Sequence, residues 1–324
     1  MSERLIPVSE LETTANQEAE VHHIDWVVIQ LTDTCQHMCP YCINSDGPHK
    51  RNVASVDMIQ EILARFRPRK VEYTGGDPST RFNLLLSGIE LARESGAEEI
   101  MFNTNMELLN SEKVGKLEQA GLTAIHFALH TLDRERHKVV RGNRNASLDK
   151  VLENFDNALQ GTNLDFIIEY VPMKLPNGEN NLADLESVYK YVLGKREAYG
   201  ARIKSLEIGN LIPRGRATLD MMLPLEEQVG AIEHAIEQPE MPIEIYCYGR
   251  EATERLKGKG FVVNTCFAGR SMFYFTVDGK VLADNFTGVA VASDYRQFDG
   301  RSPLMSNLNF GEGLAFCPFV VQDS

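Results

Sequence analysis

Thr32-Asp33-Thr34-Cys35-Gln36-His37-Met38-Cys39-Pro40-Tyr41-Cys42 stands directly after the apolar run 26–31. Three cysteines at spacings of three and two intervening residues cannot all pair as disulfides, so one thiolate is left over. They read as metal ligands. A closed four-iron cluster normally takes four protein ligands, so three thiolates on one loop would hold three irons and leave the fourth open. A structural zinc site completed by His37 or His49, or three incidental cysteines, would give the same spacing.

The 324 residues, 43% apolar and 24% charged, have the composition of a soluble globular protein. They suffice for one barrel-sized domain with an appendage or for two ordinary domains. No stretch reaches the roughly 18 uninterrupted apolar residues of a membrane span. Residues 1–20 are polar and acidic, without the basic and apolar regions of a secretory signal. Six cysteines, three of them clustered, suit metal and redox chemistry in a reducing compartment, so a cytoplasmic location is expected. The net charge of −13, from 46 acids against 33 bases, makes nucleic acid a poor partner. It favours a cationic small molecule, although acidity that serves solubility alone would look the same.

Outward from the cysteine loop, apolar runs alternate with amphipathic helices, which predicts α/β architecture with a parallel sheet. Strands are expected at 26–31, 71–74, 99–103, 124–129, 164–171 and 203–208. Ser55 is placed to N-cap a helix whose Met58, Ile59, Ile62, Leu63 and Phe66 share one face, with Pro68 as its stop. Further helices are expected at 82–95, 110–120, 148–159, 182–199 and 225–237, with Gly96, Gly121, Gly161 and Gly200 closing the first four. After about residue 240 short strands at 243–248, 272–277 and 280–282 are expected, the last two joined by an Asp278-Gly279 turn, with few helices. The expected organisation is an arm at 1–22, a partial (β/α)6 barrel at 23–240 and a small β-rich auxiliary domain at 241–324.

Tyr73-Thr74-Gly75-Gly76-Asp77-Pro78 ends the second of these strands, about thirty residues behind the cysteine loop. Its two glycines allow a ligand to approach backbone closely. With CxxxCxxC before it, this arrangement resembles the radical S-adenosylmethionine (SAM) superfamily. The resemblance implies a [4Fe-4S] cluster on Cys35, Cys39 and Cys42 whose open iron is chelated by SAM. Reduction by a flavodoxin or ferredoxin would then yield a 5′-deoxyadenosyl radical that abstracts hydrogen from a substrate. It also implies that Gly75, Gly76 and Asp77 receive the SAM amino group, with Asp77 standing where the family usually has glutamate. Thr104 and Asn105 would lie near the SAM carboxylate and ribose. His130 would take the place of the usual serine at the ribose. The segment around Ile212, in Asn210-Leu-Ile-Pro-Arg-Gly-Arg-Ala217, and the backbone of Tyr41 would lie against adenine. His37 is expected to be an exposed loop histidine.

Cys266, Gly279 and Cys317 are similar to part of the SPASM and twitch pattern that carries auxiliary clusters in this superfamily. The next position of that pattern is Asp284 rather than cysteine. A second, auxiliary [4Fe-4S] cluster on Cys266, Asp284 and Cys317 is expected, the alternative being ordinary buried cysteines. Cys247 reads as a further cluster ligand, as a thiol facing the substrate, or as core. A thiol opposite the radical-generating face would invert a stereocentre, and this inclines the reading to an epimerase of an aminoglycoside or aminocyclitol. Glu169, Glu207 and Asp165 would pair with substrate ammonium groups if they face inward. The alternatives are a dehydrogenase of an aminocyclitol or sugar alcohol, a peptide-modifying enzyme, and a non-catalytic iron–sulfur or zinc protein.

Overall fold

The computed structural model describes residues 3–5, 24–263, 267–286, 288–300 and 320–322. In chain order the strands and helices that place the site are Glu3–Leu5 (β1), Trp26–Thr32 (β2), Val56–Phe66 (α1), Lys70–Gly75 (β3), Phe82–Glu94 (α2), Glu99–Thr104 (β4), Ser111–Ala120 (α3), Ala124–Ala128 (β5), Arg134–Arg141 (α4) and Leu148–Gly161 (α5). They continue as Asp165–Tyr170 (β6), Leu185–Tyr199 (α6), Ile203–Gly209 (β7), Leu225–Ala235 (α7), Ile243–Tyr246 (β8), Arg250–Lys257 (α8), Val262–Val263 (β9), Met272–Phe275 (β10), Val281–Leu282 (β11), Ala290–Ala292 (β12) and Val320–Gln322 (β13).

The local rules hold at the caps of three helices and at two glycine stops. Ser55 N-caps α1 by accepting the Met58 N–H at 3.1 Å, and Met58, Ile59, Ile62 and Leu63 are buried on one face. Asn110 caps α3 and Ser147 caps α5 in the same way. Gly96 and Gly121 close their helices at φ +91° and +120°. Helix α5 departs from expectation by running through Gly161, because Thr162 turns extended and its hydroxyl bonds the Ala158 carbonyl at 2.8 Å.

Eleven strands form one sheet in the order β12-β11-β10-β2-β3-β4-β5-β6-β7-β8-β9, and every pairing from β10 to β9 is parallel. Strand β2 is buried almost throughout, whereas β5, β6 and β8 alternate buried with half-buried residues, Ile167, Glu169 and Glu244 among the latter lining a cavity. Val27, Ile29 and Leu31 of β2 are inaccessible, as are Ile168 of β6 and Ile208 of β7. The sheet is open, with β12 and β9 at its edges, and is the expected α/β partial barrel. Strands β10 and β11 are joined across the Asp278-Gly279 turn, with Gly279 at φ +86°.

Residues beyond 240 add to both ends of this sheet. Strand β8 continues the parallel run beside β7, and β10 pairs parallel with β2. Among the described residues α8 is the one helix there, and its Ala252 and Leu256 are buried under α7 and β9. Apart from β1, which pairs antiparallel with β13, the arm at 1–22 lies outside the described residues. So do Cys266 and Cys317.

Candidate active site

The cysteine loop follows β2 and is held by hydrogen bonds from the segments after β3, α4 and β7. Gly76 donates its N–H to the Thr32 carbonyl at 2.8 Å, and Asp77 donates to Thr34 at 2.9 Å. Met38 donates to the Arg141 carbonyl at 3.1 Å, and the Asn143 amide donates to Gln36 at 3.1 Å. Arg216 donates its N–H to the Cys42 carbonyl at 3.0 Å and its side chain to Cys39 and Asp46 carbonyls. Cβ atoms added at Gly76, Gly142 and Gly215 would fall 2.2, 2.1 and 2.3 Å from loop carbonyl oxygens, so each contact requires glycine.

Cys35, Cys39 and Cys42 line one cavity together with Tyr41, Gly75, Gly76, Thr104, Asn105 and Ile212. The donor set fits a cluster held by three thiolates. Burial pushes the Cys35 thiol well up and the Cys42 thiol up to about 11, so cluster binding would have to displace a proton from each. His37 is not the exposed residue expected. It is 1% exposed, its Nε2 lies 2.7 Å from Glu107 and its Nδ1 lies 3.1 Å from the Asn143 amide. Those partners remove it as a zinc ligand. Its main-chain N–H instead donates to Cys35 Sγ at 3.4 Å.

Two expected SAM contacts are occupied otherwise. Asp77 is fully buried, and its carboxylate accepts from the Ser79 N–H at 2.9 Å, the Ser79 hydroxyl at 2.5 Å, the Thr104 hydroxyl at 3.0 Å and the Asn105 N–H at 3.0 Å. It clamps the ends of β3 and β4 together, leaving Gly75 and Gly76 to face the cavity. His130, 2% exposed, sits behind Tyr41 and is not among the cavity-lining residues. Its Nε2 is 2.9 Å from the Tyr41 hydroxyl, and its Nδ1 accepts the Val171 N–H at 3.1 Å. The larger side chain fills the space beneath Tyr41, so the ribose contact expected of it is not made from this position.

The cavity, of about 750 Å³, runs down the inner face of the sheet from the cysteines to Trp26 and Lys70. Its wall carries Glu72, Glu169, Glu207, Glu244 and Asp284, with Cys247 after β8. Glu169, Glu207 and Glu244 are direct register partners across β6, β7 and β8. Like charges placed this way destabilise a sheet. The Tyr246 hydroxyl donates to Glu169, His126 Nε2 lies 3.6 Å from Glu207, and the Asn103 amide donates to Glu72 at 2.7 Å. Asp165, expected to join them, pairs with Lys204 at 2.8 Å instead. Glu72 and Glu244 were missed. The signal available for both was a glutamate within an apolar strand.

Comparison with known proteins agrees with this geometry. Residues 29–175 match the radical SAM superfamily. The GTP 3′,8-cyclase of Listeria monocytogenes is 32% identical over 145 residues, 41% of each chain, so the match spans about two fifths of that relative's length. The GTP 3′,8-cyclase of Hydrogenovibrio crunogenus is 27% identical over 212 residues, 63% of this chain and 60% of its own. Among solved structures, SuiB of Streptococcus suis bound to its precursor peptide SuiA superposes with a TM-score of 0.67 at 16% identity, over 93% of this chain and 69% of that one. Native anSMEcpe with bound AdoMet superposes with a TM-score of 0.60 at 13% identity, over 87% and 81%. These two likenesses concern the fold alone. Among the described residues no helix is long and apolar enough to cross a membrane.

Asp77→Asn places an amide against donors from Ser79, Thr104 and Asn105, and an unsatisfied buried donor costs about 1–3 kcal/mol. The variant should melt lower and bind SAM roughly tenfold more weakly by equilibrium dialysis, a change of about 1.4 kcal/mol, with the iron content of the cysteine loop retained. An unchanged melting temperature would mean that the clamp does not hold β3 to β4.

Burial, aided by Glu244 and Glu169 and opposed by His126, pushes the Glu207 carboxyl up to about 7 from 4.5. The folded chain therefore holds a proton that the unfolded chain has lost. Stability from this group is fully present below pH 4.5 and falls as pH rises to about 7, by up to about 3 kcal/mol. Glu207→Gln should flatten this dependence and raise the melting temperature at pH 8 more than at pH 5.

Proposed function

The chain carries a radical SAM domain, and from that premise we propose that it abstracts hydrogen from a small, amine-bearing sugar or cyclitol and inverts the carbon attacked. The reading is of an aminoglycoside epimerase similar in kind to neomycin C epimerase. The observation that supports it is the glutamate ladder on the wall of the same cavity that receives the cysteine loop. Ammonium groups are the ligands that relieve it. The triphosphate of a nucleotide such as GTP would meet it with the wrong sign. Of the cavity's cations, Arg141 bonds the Ala128 carbonyl, Arg216 bonds two loop carbonyls, and Lys70, 3.8 Å from the Trp26 ring centre, places its charge near Glu207.

Cys35, Cys39 and Cys42 would hold a [4Fe-4S] cluster, and its chemistry with SAM would be to supply a 5′-deoxyadenosyl radical. Gly75, Gly76, Asn105, Ile212 and the Tyr41 backbone shape the SAM end of the cavity. Glu169, Glu207 and Glu244 hold the substrate's ammonium groups. Cys247 stands after β8, six positions along the sheet from the cluster strand, yet borders the same space. It is held at φ +59°, a strained conformation of the kind that collects at functional sites.

Its role follows from bond bookkeeping. Abstraction of a hydrogen atom by that radical would release 5′-deoxyadenosine and leave a carbon radical on the substrate. The Cys247 S–H bond then breaks homolytically and delivers its hydrogen to the opposite face. The thiyl left behind takes one electron and one proton, the electron coming from a flavodoxin- or ferredoxin-type donor. Residues 241–324 are part of the proposal as an auxiliary unit, with Cys266, Asp284 and Cys317 as ligands of a second [4Fe-4S] cluster.

Cys247→Ala should therefore still cleave SAM and take hydrogen from the substrate, but release no inverted product. In deuterated water the wild-type product should carry one deuterium at the inverted carbon, because a thiol exchanges with solvent. An oxidised product without solvent deuterium would establish a dehydrogenase instead. Anaerobic reconstitution should give about eight irons per chain, falling to about four when Cys35, Cys39 and Cys42 are replaced together. A wild-type plateau near four would remove the auxiliary cluster.

A further inference from the structure

Asn105 stands just past the end of β4, 6% exposed, and lines the cavity at its SAM end. Its main-chain N–H donates to the Asp77 carboxylate at 3.0 Å. Its Oδ1 accepts the Glu107 N–H at 3.1 Å, and because a main-chain N–H can only donate, the atom that faces it must be the amide oxygen. Met106, the next residue, is held at φ +69°, a left-handed conformation that a side chain resists, with its N–H on the Thr104 hydroxyl at 3.1 Å. The turn is pinned from outside as well. The Asn154 amide donates to the Met106 and Glu107 carbonyls at 2.9 and 3.1 Å.

Gln36 completes the arrangement from a distant part of the chain. It sits between Cys35 and His37 and does not line the cavity, yet its Nε2 donates to the same Asn105 Oδ1 at 2.8 Å. An amide oxygen has two lone pairs, and both are now taken. Two donors converging on that oxygen hold the plane of the amide, where one would leave it freer to rotate about Cβ–Cγ. Gln36 is itself tied to the cysteine loop: its Oε1 lies 3.8 Å from Cys35 Sγ, and its main-chain carbonyl accepts the Asn143 amide at 3.1 Å. What remains of Asn105 is Nδ2, whose two N–H groups have no partner among the described residues.

We propose that Gln36 is a positioning residue that locks the Asn105 amide so that Nδ2 donates to an oxygen of bound SAM, either its carboxylate or a ribose hydroxyl. The loop that carries the cysteines thereby also sets a donor at the end of β4, and the two halves of the cofactor site are ordered together. Fixing the donor beforehand removes an ordering cost from binding. The device rests on SAM binding beside the cysteine loop and is independent of the substrate and of Cys247.

The test uses the full chain reconstituted with iron, and reads SAM affinity by anaerobic equilibrium dialysis alongside iron content. Gln36→Met keeps the length of the side chain and removes its donor. It should retain the iron and bind SAM roughly three- to tenfold more weakly, the span of one net hydrogen bond. Asn105→Ala removes the amide itself and should weaken SAM by roughly tenfold or more, since a hydrogen bond to a charged acceptor is worth more. In the Asn105→Ala background Gln36→Met should cost nothing further, because its route to the cofactor is gone. A residue that merely shaped the loop would weaken SAM equally in both backgrounds. Decarboxylated SAM separates the two acceptors: a penalty that disappears with this ligand assigns the amide to the carboxylate, and one that persists assigns it to the ribose.

An unchanged affinity in Gln36→Met, or additive losses in the double variant, would overturn the proposal. So would loss of iron in both Gln36→Met and Gln36→Leu, which would make Gln36 a support of the cysteine loop and nothing more. A wild-type chain that takes up iron yet binds no SAM would overturn it together with the SAM site. Inversion of the substrate is not read here, so this result stands apart from that of the epimerase reading.

Discussion

Close approach of backbone to backbone around residues 32–46 is the constraint on which the site depends. Gly76, Gly142 and Gly215 come from loops after β3, α4 and β7, and each meets a carbonyl of the cysteine loop at a distance that forbids a Cβ. Parallel strands deliver their following loops to one end of the sheet, so segments far apart in sequence converge on the loop after β2. The positions of the three thiols are therefore consequences of strand order across the sheet. Cluster binding by these thiols would be coupled to that order, since the loop that carries them is held by contacts from all three segments.

The elements that were legible in the sequence are those whose causes are local. Ser55, Asn110 and Ser147 announce helix starts through side-chain oxygens that reach amides three residues on, and Gly96 and Gly121 announce ends through φ values other residues resist. The cysteine spacing and the paired glycines at 75–76 are equally local. What could not be read depends on neighbours brought in by the fold. His37 looked exposed because its loop is polar, but Glu107 and Asn143 cover it from the ends of other elements. Asp77 looked like a ligand because its motif places it beside the site, yet the amide and hydroxyls that take its carboxylate belong partly to β4.

The same distinction explains β8. Its four residues alternate Ile-Glu-Ile-Tyr, a pattern equally suited to an edge hairpin or to a parallel strand with one polar face. Nothing within it reveals that it pairs with β7, and so Glu244 could not be aligned with Glu207 from sequence. Alternation along β6 puts Ile167 and Glu169 on one face, a relation that needs only the strand's own period, and that face lines the cavity.

Electrostatics then decides what such a wall can hold. Two carboxylates about 5 Å apart repel by about 3 kcal/mol at an effective dielectric constant near 20, and three in register meet that term twice. The chain offsets part of it through the Tyr246 hydroxyl and His126, and part by raising the Glu207 carboxyl until it titrates near neutrality. An incoming ammonium group reverses the sign of the term, drives Glu207 to ionise and gains from both changes. An incoming phosphate adds to the repulsion and finds each arginine of the cavity already committed to a carbonyl. If the wall meets substrate, discrimination between the two would be set by register pairing of three strands before any substrate arrives.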